Sequence, residues 1–594
     1  MGGKKKGIKR RTDDMPVHAP RAFPIPAAVI LLLLAGALAY GGSLNGPFIY
    51  DDIPNIVDNR AIRDVLNIMN PSLGPTGAGL YNRSVVRFSF TVNYALGGDH
   101  VRGYHILNLA VHLLAGVTLF GIVRRTLLTE RMKADYGPAA TLLGFACALL
   151  WLLHPLQTQA VTYIIQRCES MMGLFFLLTC YCAIRGWQSS RSGPWHGAAV
   201  LFFVLGMGSK EVIAVAPPLL LIYDVIFIHG RWGTAIRKSW PLYAGLTGGV
   251  ILLGLLLVMG SQVWQGAGLK EYLPLVPYWQ TQPGVILHYL RLVAWPDALC
   301  LDYAWPFTPW QKAWPSILAL SALLALTGWA VFKRKPAGFL GAWFFAILAP
   351  TSLVPLPDPA FEHRMYLPLA ALVVLVVIGV YRLALILRER NAFGKDRQAV
   401  AGVAGLLALA LLLGGITYKR NGVYAGEVSI WADTVQKSPR NSRAHLNLGV
   451  ELDRAGNPHE AVRHFEEAIR LQPDRAEAYT NMGNVLTNLG KTDDAIRYLQ
   501  EAIRLKADYG EAYSNLGVAF GRSGRLNEAI EQFEHALRLK PDYAPAHSNM
   551  GLALGRLGRK QEAIAHFQEA LRLKPDYQAA RMNLELLMRM DRRR

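Results

Sequence analysis

AEAYTNMGNVLTNLGKTDDAIRYLQEAIRLKADY, residues 476–509, is one of a tandem series sharing a 34-residue period, with units starting at Ser442, Ala476, Gly510 and Ala544. Position 8 is always glycine (Gly449, Gly483, Gly517, Gly551) and position 20 always alanine (Ala461, Ala495, Ala529, Ala563). Position 27 is again alanine (Ala468, Ala502, Ala536, Ala570); position 32 is proline at Pro473, Pro541 and Pro575, and Ala507 in the second unit. Small residues let the two helices of a unit approach closely, and the proline starts the next unit. Residues 442–577 are therefore expected to stack as an α-solenoid, with 578–594 as a capping helix, polar at its end.

The pattern is the tetratricopeptide (TPR) signature. Asparagine also occupies position 6 of every first helix: Asn447, Asn481, Asn515, Asn549, and Asn583 in the cap. Residues at one repeat position form a ladder on one face, and an amide offers a donor and an acceptor to an extended peptide backbone. A similar ladder lines the concave groove of the TPR domain in O-GlcNAc transferases. The alternative is local helix or turn hydrogen bonding. Either way the array is expected to bind protein.

Upstream of the repeats the composition changes. Hydrophobic residues make up 52% of the 594-residue chain and charged ones 18%, and the apolar content is concentrated before about residue 417. Runs near the roughly 20 residues that cross a bilayer lie at 24–43, 104–123, 138–153, 169–186, 196–209, 212–229, 241–260, 316–332, 338–356, 366–387 and 399–417. The expected fold is all-α: a polytopic bundle of about eleven transmembrane helices over 24–417, a linker at 418–441, then the solenoid. Residues 1–23 form a basic amino-terminal segment carrying Lys4, Lys5, Lys6, Lys9, Arg10 and Arg11. Ala37-Leu38-Ala39 could pass as a signal-peptidase site, but cutting there would remove the first span.

The basic residues between spans alternate as topology signals do. Arg124/Arg125/Arg131/Lys133, Arg185/Arg191, Arg231/Arg237/Lys238, Lys333/Arg334/Lys335 and Arg388/Arg390/Lys395/Arg397 fall in every second loop. The amino end is then cytoplasmic, and an odd number of spans puts residues 418–594 on the outer face, periplasmic in a bacterial inner membrane. The net charge of +20 thus reads as topology, and no groove-reading motif points to nucleic acid. Cys147, Cys168, Cys180, Cys182 and Cys300 show neither a disulfide framework nor a zinc spacing.

The two longest outer segments are 44–103 and 261–315. The second carries Trp264, Tyr272, Tyr278, Trp279, Tyr289, Trp295, Tyr303, Trp305, Trp310 and Trp314. They read as an interfacial aromatic belt, or as a lid stacking on a sugar or polyprenyl chain. The first contains Gly46-Pro47-Phe48-Ile49-Tyr50-Asp51-Asp52. Two adjacent acids at a membrane surface are costly to keep ionised, so Asp51 and Asp52 mark a candidate reaction centre. Arg83, His154, Arg167, Lys210, Glu211, His363 and Arg364 stand at the same outer mouth. Several cations beside a general base are what a lipid-linked phosphate substrate requires. Each charge also has a structural reading, such as an ion pair of Lys210 with Glu211. His105, Asn108 and His112 share one face of the second span, where interhelical hydrogen bonding is favoured over a metal site.

At these residues the chain resembles the transmembrane and TPR-repeat-containing O-mannosyltransferases in their bacterial form, polytopic glycosyltransferases of the GT-C type. The resembling stretches are Tyr50-Asp51-Asp52, Arg83 with Asn93 through Gly98, Tyr104 through Asn108, and His154-Pro155 through Val161. They continue at Ser209-Lys210-Glu211, Pro218 through Tyr223-Asp224, and Arg364-Met365-Tyr366-Leu367-Pro368. The resemblance implies an inverting hexosyltransferase moving mannose from a polyprenyl-phosphate sugar to Ser/Thr hydroxyls of exported proteins. It implies Asp51 as base, Asp52 in support, and lipid phosphate held among the cations. No cofactor or metal is called for, because the lipid-linked sugar is a substrate and arginine and lysine can offset the leaving charge. One departure is Gln159, where relatives often have an acid. The competing readings are a non-enzymatic membrane-anchored TPR scaffold for envelope assembly and a GT-C enzyme with a glycan or lipid acceptor.

Overall fold

The computed structural model describes residues 23–63, 83–259, 274–389 and 395–592. The amino-terminal basic cluster, Trp264, Tyr272 and Arg390 lie outside the described residues. Among those described, the chain is helical without a strand. The first half runs α1 (Ile25–Tyr40), α2 (Ser84–Gly97), α3 (Val101–Leu127), α4 (Ala140–Leu152), α5 (Arg167–Trp187), α6 (Ser192–Met207) and α7 (Ala216–Tyr223). It continues with α8 (Trp232–Met259), α9 (Leu275–Ala294), α10 (Trp310–Phe332), α11 (Pro336–Leu353), α12 (Pro368–Glu389) and α13 (Lys395–Val423).

Nine stretches among the described residues are long and apolar enough to cross a bilayer: Ile25–Ser43, Val101–Leu127, Lys133–Leu152, Ile164–Trp187, Glu211–Ile228, Trp310–Phe332, Pro336–Leu353, Pro368–Leu387 and Val400–Val423. They match nine of the eleven expected spans. The other two are α6, only 16 residues long, and α8, which breaks at Ser239 ahead of Pro241. Proline removes a helix hydrogen bond and clashes with the preceding turn, which accounts for the break. On the outside of the bundle large apolar side chains face outward: Leu318 is 65% exposed, Phe332 78% and Leu411 78%. A surface so apolar suits lipid, not water. Inside, helices meet at glycine: a Cβ on Gly36 would sit 2.4 Å from Leu113 and 2.5 Å from Leu152.

One element was not foreseen. The second outer segment contains the helix α9, whose Tyr278 and Tyr289 are buried. Their hydroxyls hydrogen-bond to the Thr351 carbonyl at 2.5 Å and the Phe361 carbonyl at 2.9 Å. These two rings are packing residues; Trp279, Trp295, Trp310 and Trp314 stay exposed, as belt or lid positions would.

The repeats form four helix pairs: α15 (Ser442–Arg454) with α16 (Pro458–Leu471), α17 (Ala476–Asn488) with α18 (Thr492–Leu505), α19 (Gly510–Arg522) with α20 (Leu526–Leu539), and α21 (Ala544–Arg556) with α22 (Lys560–Leu573). The terminal helix is α23 (Gln578–Arg592). The invariant glycines do what their spacing implied. A Cβ on Gly449 or Gly517 would come within 2.6 Å of the rings of Phe465 or Phe533, and on Gly483 within 2.5 Å of Leu499.

Residues 418–441, expected as a linker, are largely helical. They hold the end of α13 and a further helix, α14 (Glu427–Lys437), which we call the stem. Its Trp431 is buried against Tyr50, ring centroids 5.1 Å apart. Arg420 pairs with Asp433, and Lys437 donates to the Leu299 carbonyl at 2.6 Å. Asn441 and Ser438 donate to the carbonyls of Asp302 and Tyr303 at 3.0 and 3.1 Å. The solenoid is thus seated on the outer segments of the membrane half.

Candidate active site and its relatives

The acid pair lies in a tight turn. Tyr50 adopts φ 44°, a left-handed conformation costing a non-glycine residue roughly 1–2 kcal/mol. The turn sends the two carboxylates into opposite surroundings. Asp52 is fully buried, accepting N–H bonds from Ile49 at 3.0 Å and Ile165 at 2.7 Å. Burial pushes its pKa up to about 8, against the pull of those backbone donors. Asp51 is open to solvent on one side, and its backbone N–H donates to the Tyr163 hydroxyl at 3.0 Å. Desolvation by the surrounding protein raises its carboxyl pKa, and Asp358 and Asp302 add to this; Tyr163 and Arg443 oppose it. A carboxylate that is exposed, raised in pKa and hydrogen-bonded in place is suited to accept a proton.

A group of cations gathers around His363. Lys210 forms a buried ion pair with Glu169 on α5, not with its neighbour Glu211. Arg83 donates to Cys168 Sγ at 3.2 Å and lies within Coulombic reach of Glu211 and Glu169. Arg364 is held by the carbonyls of Pro359 and Asp358 at 2.6 and 2.8 Å, without a carboxylate partner among these bonds. Desolvation, then Lys210, Arg364 and Arg83, hold the buried His363 well below the usual histidine range. Gln159 fixes it, accepting from the His363 backbone N–H at 2.8 Å and from its ring Nδ1 at 3.0 Å. So Arg83, Lys210, Glu211, His363 and Arg364 share one neighbourhood.

Two of the residues expected to bind the donor are already engaged in structural contacts. Arg167 is fully buried and stacked on Phe90, and it donates to Asn108 at 2.6 Å, Asn93 at 2.6 Å, Ser89 at 3.2 Å and the Tyr104 carbonyl at 2.9 Å. Its guanidinium clamps α2, α3 and α5 together. His154 accepts from the Leu156 N–H at 3.2 Å and meets the Val293 carbonyl at 3.1 Å; burial lowers its pKa to about 4. Both ring nitrogens are already engaged. The polar face of α3 is likewise structural: His105 bonds to the Gly46 carbonyl, Asn108 to Val161, and His112 to Tyr366 and Leu152.

Sequence reasoning missed Tyr163, Asp302, Asp358 and Arg443. Arg443 left a signal: it occupies repeat position 2, where the next units have Glu477, Glu511 and Pro545. The asparagine ladder is half-buried at every rung. Asn447 Nδ2 is buried without a partner, and none of the five amides makes a side-chain hydrogen bond among the described residues. The local-bonding alternative is therefore not what occupies them.

Within the bundle a cavity of about 890 Å³ runs between α3, α10, α11 and α12. Leu119, Leu323, Leu340, Phe344 and Leu375 line it, from Ala371 in the first turn of α12 down to Arg131, Lys335 and Arg382.

Comparison with known proteins agrees with this layout. Residues 85–259 match the dolichyl-phosphate-mannose-protein mannosyltransferase family, and 442–475, 474–542 and 544–577 match tetratricopeptide repeat families. The chain is similar to the Caenorhabditis elegans protein O-mannosyl-transferase F38B6.6, 23% identical over 77% of this chain and 64% of that one. It is 25% identical to the Mus musculus protein O-mannosyl-transferases TMTC4 (76% of this chain, 67% of that one) and TMTC1 (78% and 60%). It thus spans about two thirds or less of these relatives' lengths. Among solved structures, MamA is 29% identical over 25% of this chain and 86% of that one, with a TM-score of 0.23. Apolar helices that can span a bilayer, together with these matches, make this a multi-pass membrane protein in which a segment matching the dolichyl-phosphate-mannose-protein mannosyltransferase family precedes tetratricopeptide repeats.

Proposed function

We propose that the chain is a polyprenyl-phosphate-sugar-dependent glycosyltransferase that moves mannose to Ser or Thr hydroxyls of exported proteins. On this reading the amino end is cytoplasmic and the repeats lie outside, periplasmic in a bacterial inner membrane, an orientation that the alternation of basic loops supports. The lipid tail lies in the apolar cavity along α12, and its phosphate meets Arg83, Lys210 and Arg364. Asp51 takes the proton of the acceptor hydroxyl as that oxygen bonds to the anomeric carbon. The bond from that carbon to the phosphate oxygen breaks, and lipid phosphate leaves from the opposite face with inversion. The cations offset the charge that develops on it. Asp52 holds the loop, and the asparagine ladder presents the acceptor.

The observation that carries this reading is the split of the acid pair: Asp51 opens to solvent while Asp52 is sealed among backbone donors. Asp51→Asn tests it. Transfer of mannose from a polyprenyl-phosphate donor should fall by about 10²–10⁴, the usual weight of a general base, with donor binding intact. Full activity in that variant reassigns the base. A silent Asp51→Ala/Asp52→Ala double variant favours the scaffold.

A further inference from the structure

We propose that Arg443, in the first turn of the first repeat, is a positioning residue for the transfer, and that this repeat forms the acceptor-side wall of the active site. The inference rests on the reading of Asp51 as the base. The geometry is specific. Arg443 Nε and Nη2 donate to the two carboxylate oxygens of Asp302 at 2.6 and 2.7 Å, and Nη2 also reaches Asp358 Oδ1 at 2.6 Å. A bidentate fork fixes direction as well as distance, and lysine cannot reproduce it. Asn441 and Ser438 bond to the backbone of the same outer segment, and the stem's Trp431 packs on Tyr50, which precedes Asp51. The repeat's contacts therefore converge on the loop that carries the base.

The charges agree with the geometry. The groups facing Asp51 are Tyr163, Arg443, Asp358 and Asp302, with Tyr50 and Asp52 beside it. Arg443 is the cation among these described groups, and it neutralises two carboxylates that otherwise oppose ionisation of the base. Asp302 itself, though buried, is held below the usual carboxylate range by Arg443. Without the guanidinium, Asp302 and Asp358 face Asp51 uncompensated. Its carboxyl then binds its proton more tightly, and the acid limb of the rate profile moves to higher pH. The carboxylates also repel each other, so the first repeat loses its fixed position above the site.

The full-length chain in detergent, with polyprenyl-phosphate mannose and a pool of synthetic Thr-containing peptides, provides the test. In Arg443→Gln the acid limb should move up by about one pH unit, and the peptide KM should rise at least about tenfold with the donor KM unchanged. Arg443→Lys should return the limb towards its original position, because the charge is restored, but leave the peptide KM raised, because the fork is not. Unchanged pH profile and peptide KM in Arg443→Gln would overturn the proposal. So would equal losses in both variants that track the fraction of folded protein in a thermal melt. Asp51→Asn, assayed alongside, separates the two ideas: if it transfers normally, the base assignment fails whatever Arg443 does.

Discussion

Replacing Asp52 by asparagine separates a carboxylate that holds the loop from one that does chemistry. Both Asp52 oxygens accept backbone N–H bonds in full burial. Asparagine keeps the shape but has one acceptor; its NH₂ group would face the other N–H. One buried donor then goes unpaired, at a cost of about 1–3 kcal/mol. Titration works in the opposite direction. The carboxyl has an ordinary value of 3.8 and is lifted to about 8 in the fold by burial. The stability this contributes is fully present below the lower value and is lost as pH rises to the higher one. The loss runs at about 1.4 kcal/mol per pH unit, about 6 kcal/mol in all as an upper bound. Asparagine has no such dependence. The variant should therefore melt below wild type near pH 4, match it about one to two pH units higher, and exceed it at pH 8. Thermal melts of the detergent-solubilised chain, followed by tryptophan fluorescence across this range, read the crossing. A difference between the two proteins that stays constant with pH would refute the reasoning. So would an Asp52→Asn variant that folds normally yet loses transfer as completely as Asp51→Asn.

Other outcomes follow from the same geometry. Arg167→Met should destabilise by about 3–5 kcal/mol, because Asn108, Asn93 and the Tyr104 carbonyl lose a buried donor; the donor affinity of the protein that still folds should not change. Lys210→Met leaves Glu169 buried and unpaired, which costs a similar amount. Adding Glu169→Leu should recover the melting temperature but not donor binding, measured by titration with polyprenyl phosphate. In the repeats, Asn481→Ala with Asn515→Ala should change stability by no more than about 0.5 kcal/mol, since neither amide has a partner among the described residues, yet raise the acceptor KM.

What could be read in the sequence and what could not divide along one physical line. Periodicity reports which face of a helix is apolar or small, so the spans and the repeats were legible. Gly449 and Gly517 were foreseen as close approaches because their spacing recurs. Contacts between distant segments leave no such trace. Lys210 looked like a partner for Glu211 by adjacency, but neighbouring residues in a chain point different ways, and its partner Glu169 comes from another helix. Arg167 looked like a phosphate ligand because arginine at membrane depth is expensive; the four groups that satisfy it are scattered between Ser89 and Asn108. The helix α9 escaped because its prolines and tyrosines resemble an aromatic loop. The acid pair was located, but not the difference between its members, which depends on a turn at Tyr50.

That turn also ties the repeats to the proposed base. Tyr50 holds a left-handed backbone, a strain that survives only where the surroundings over-determine it. Its ring meets Trp431 edge-on, a contact worth about 0.5–1.5 kcal/mol beyond the area it buries, comparable to the roughly 1–2 kcal/mol cost of the backbone. Asp52 supplies the rest, tying the loop to Ile49 and Ile165 from beneath. Trp431 belongs to the stem, not to the membrane half. The conformation that turns Asp51 outward is thus held from below by the bundle and from above by the stem. The same stem is fastened through Lys437 and Asp433 to Leu299 and Arg420. A tether that merely kept the repeats near the membrane would need none of these contacts, whereas a stem that sets the direction of the proposed base would use each of them.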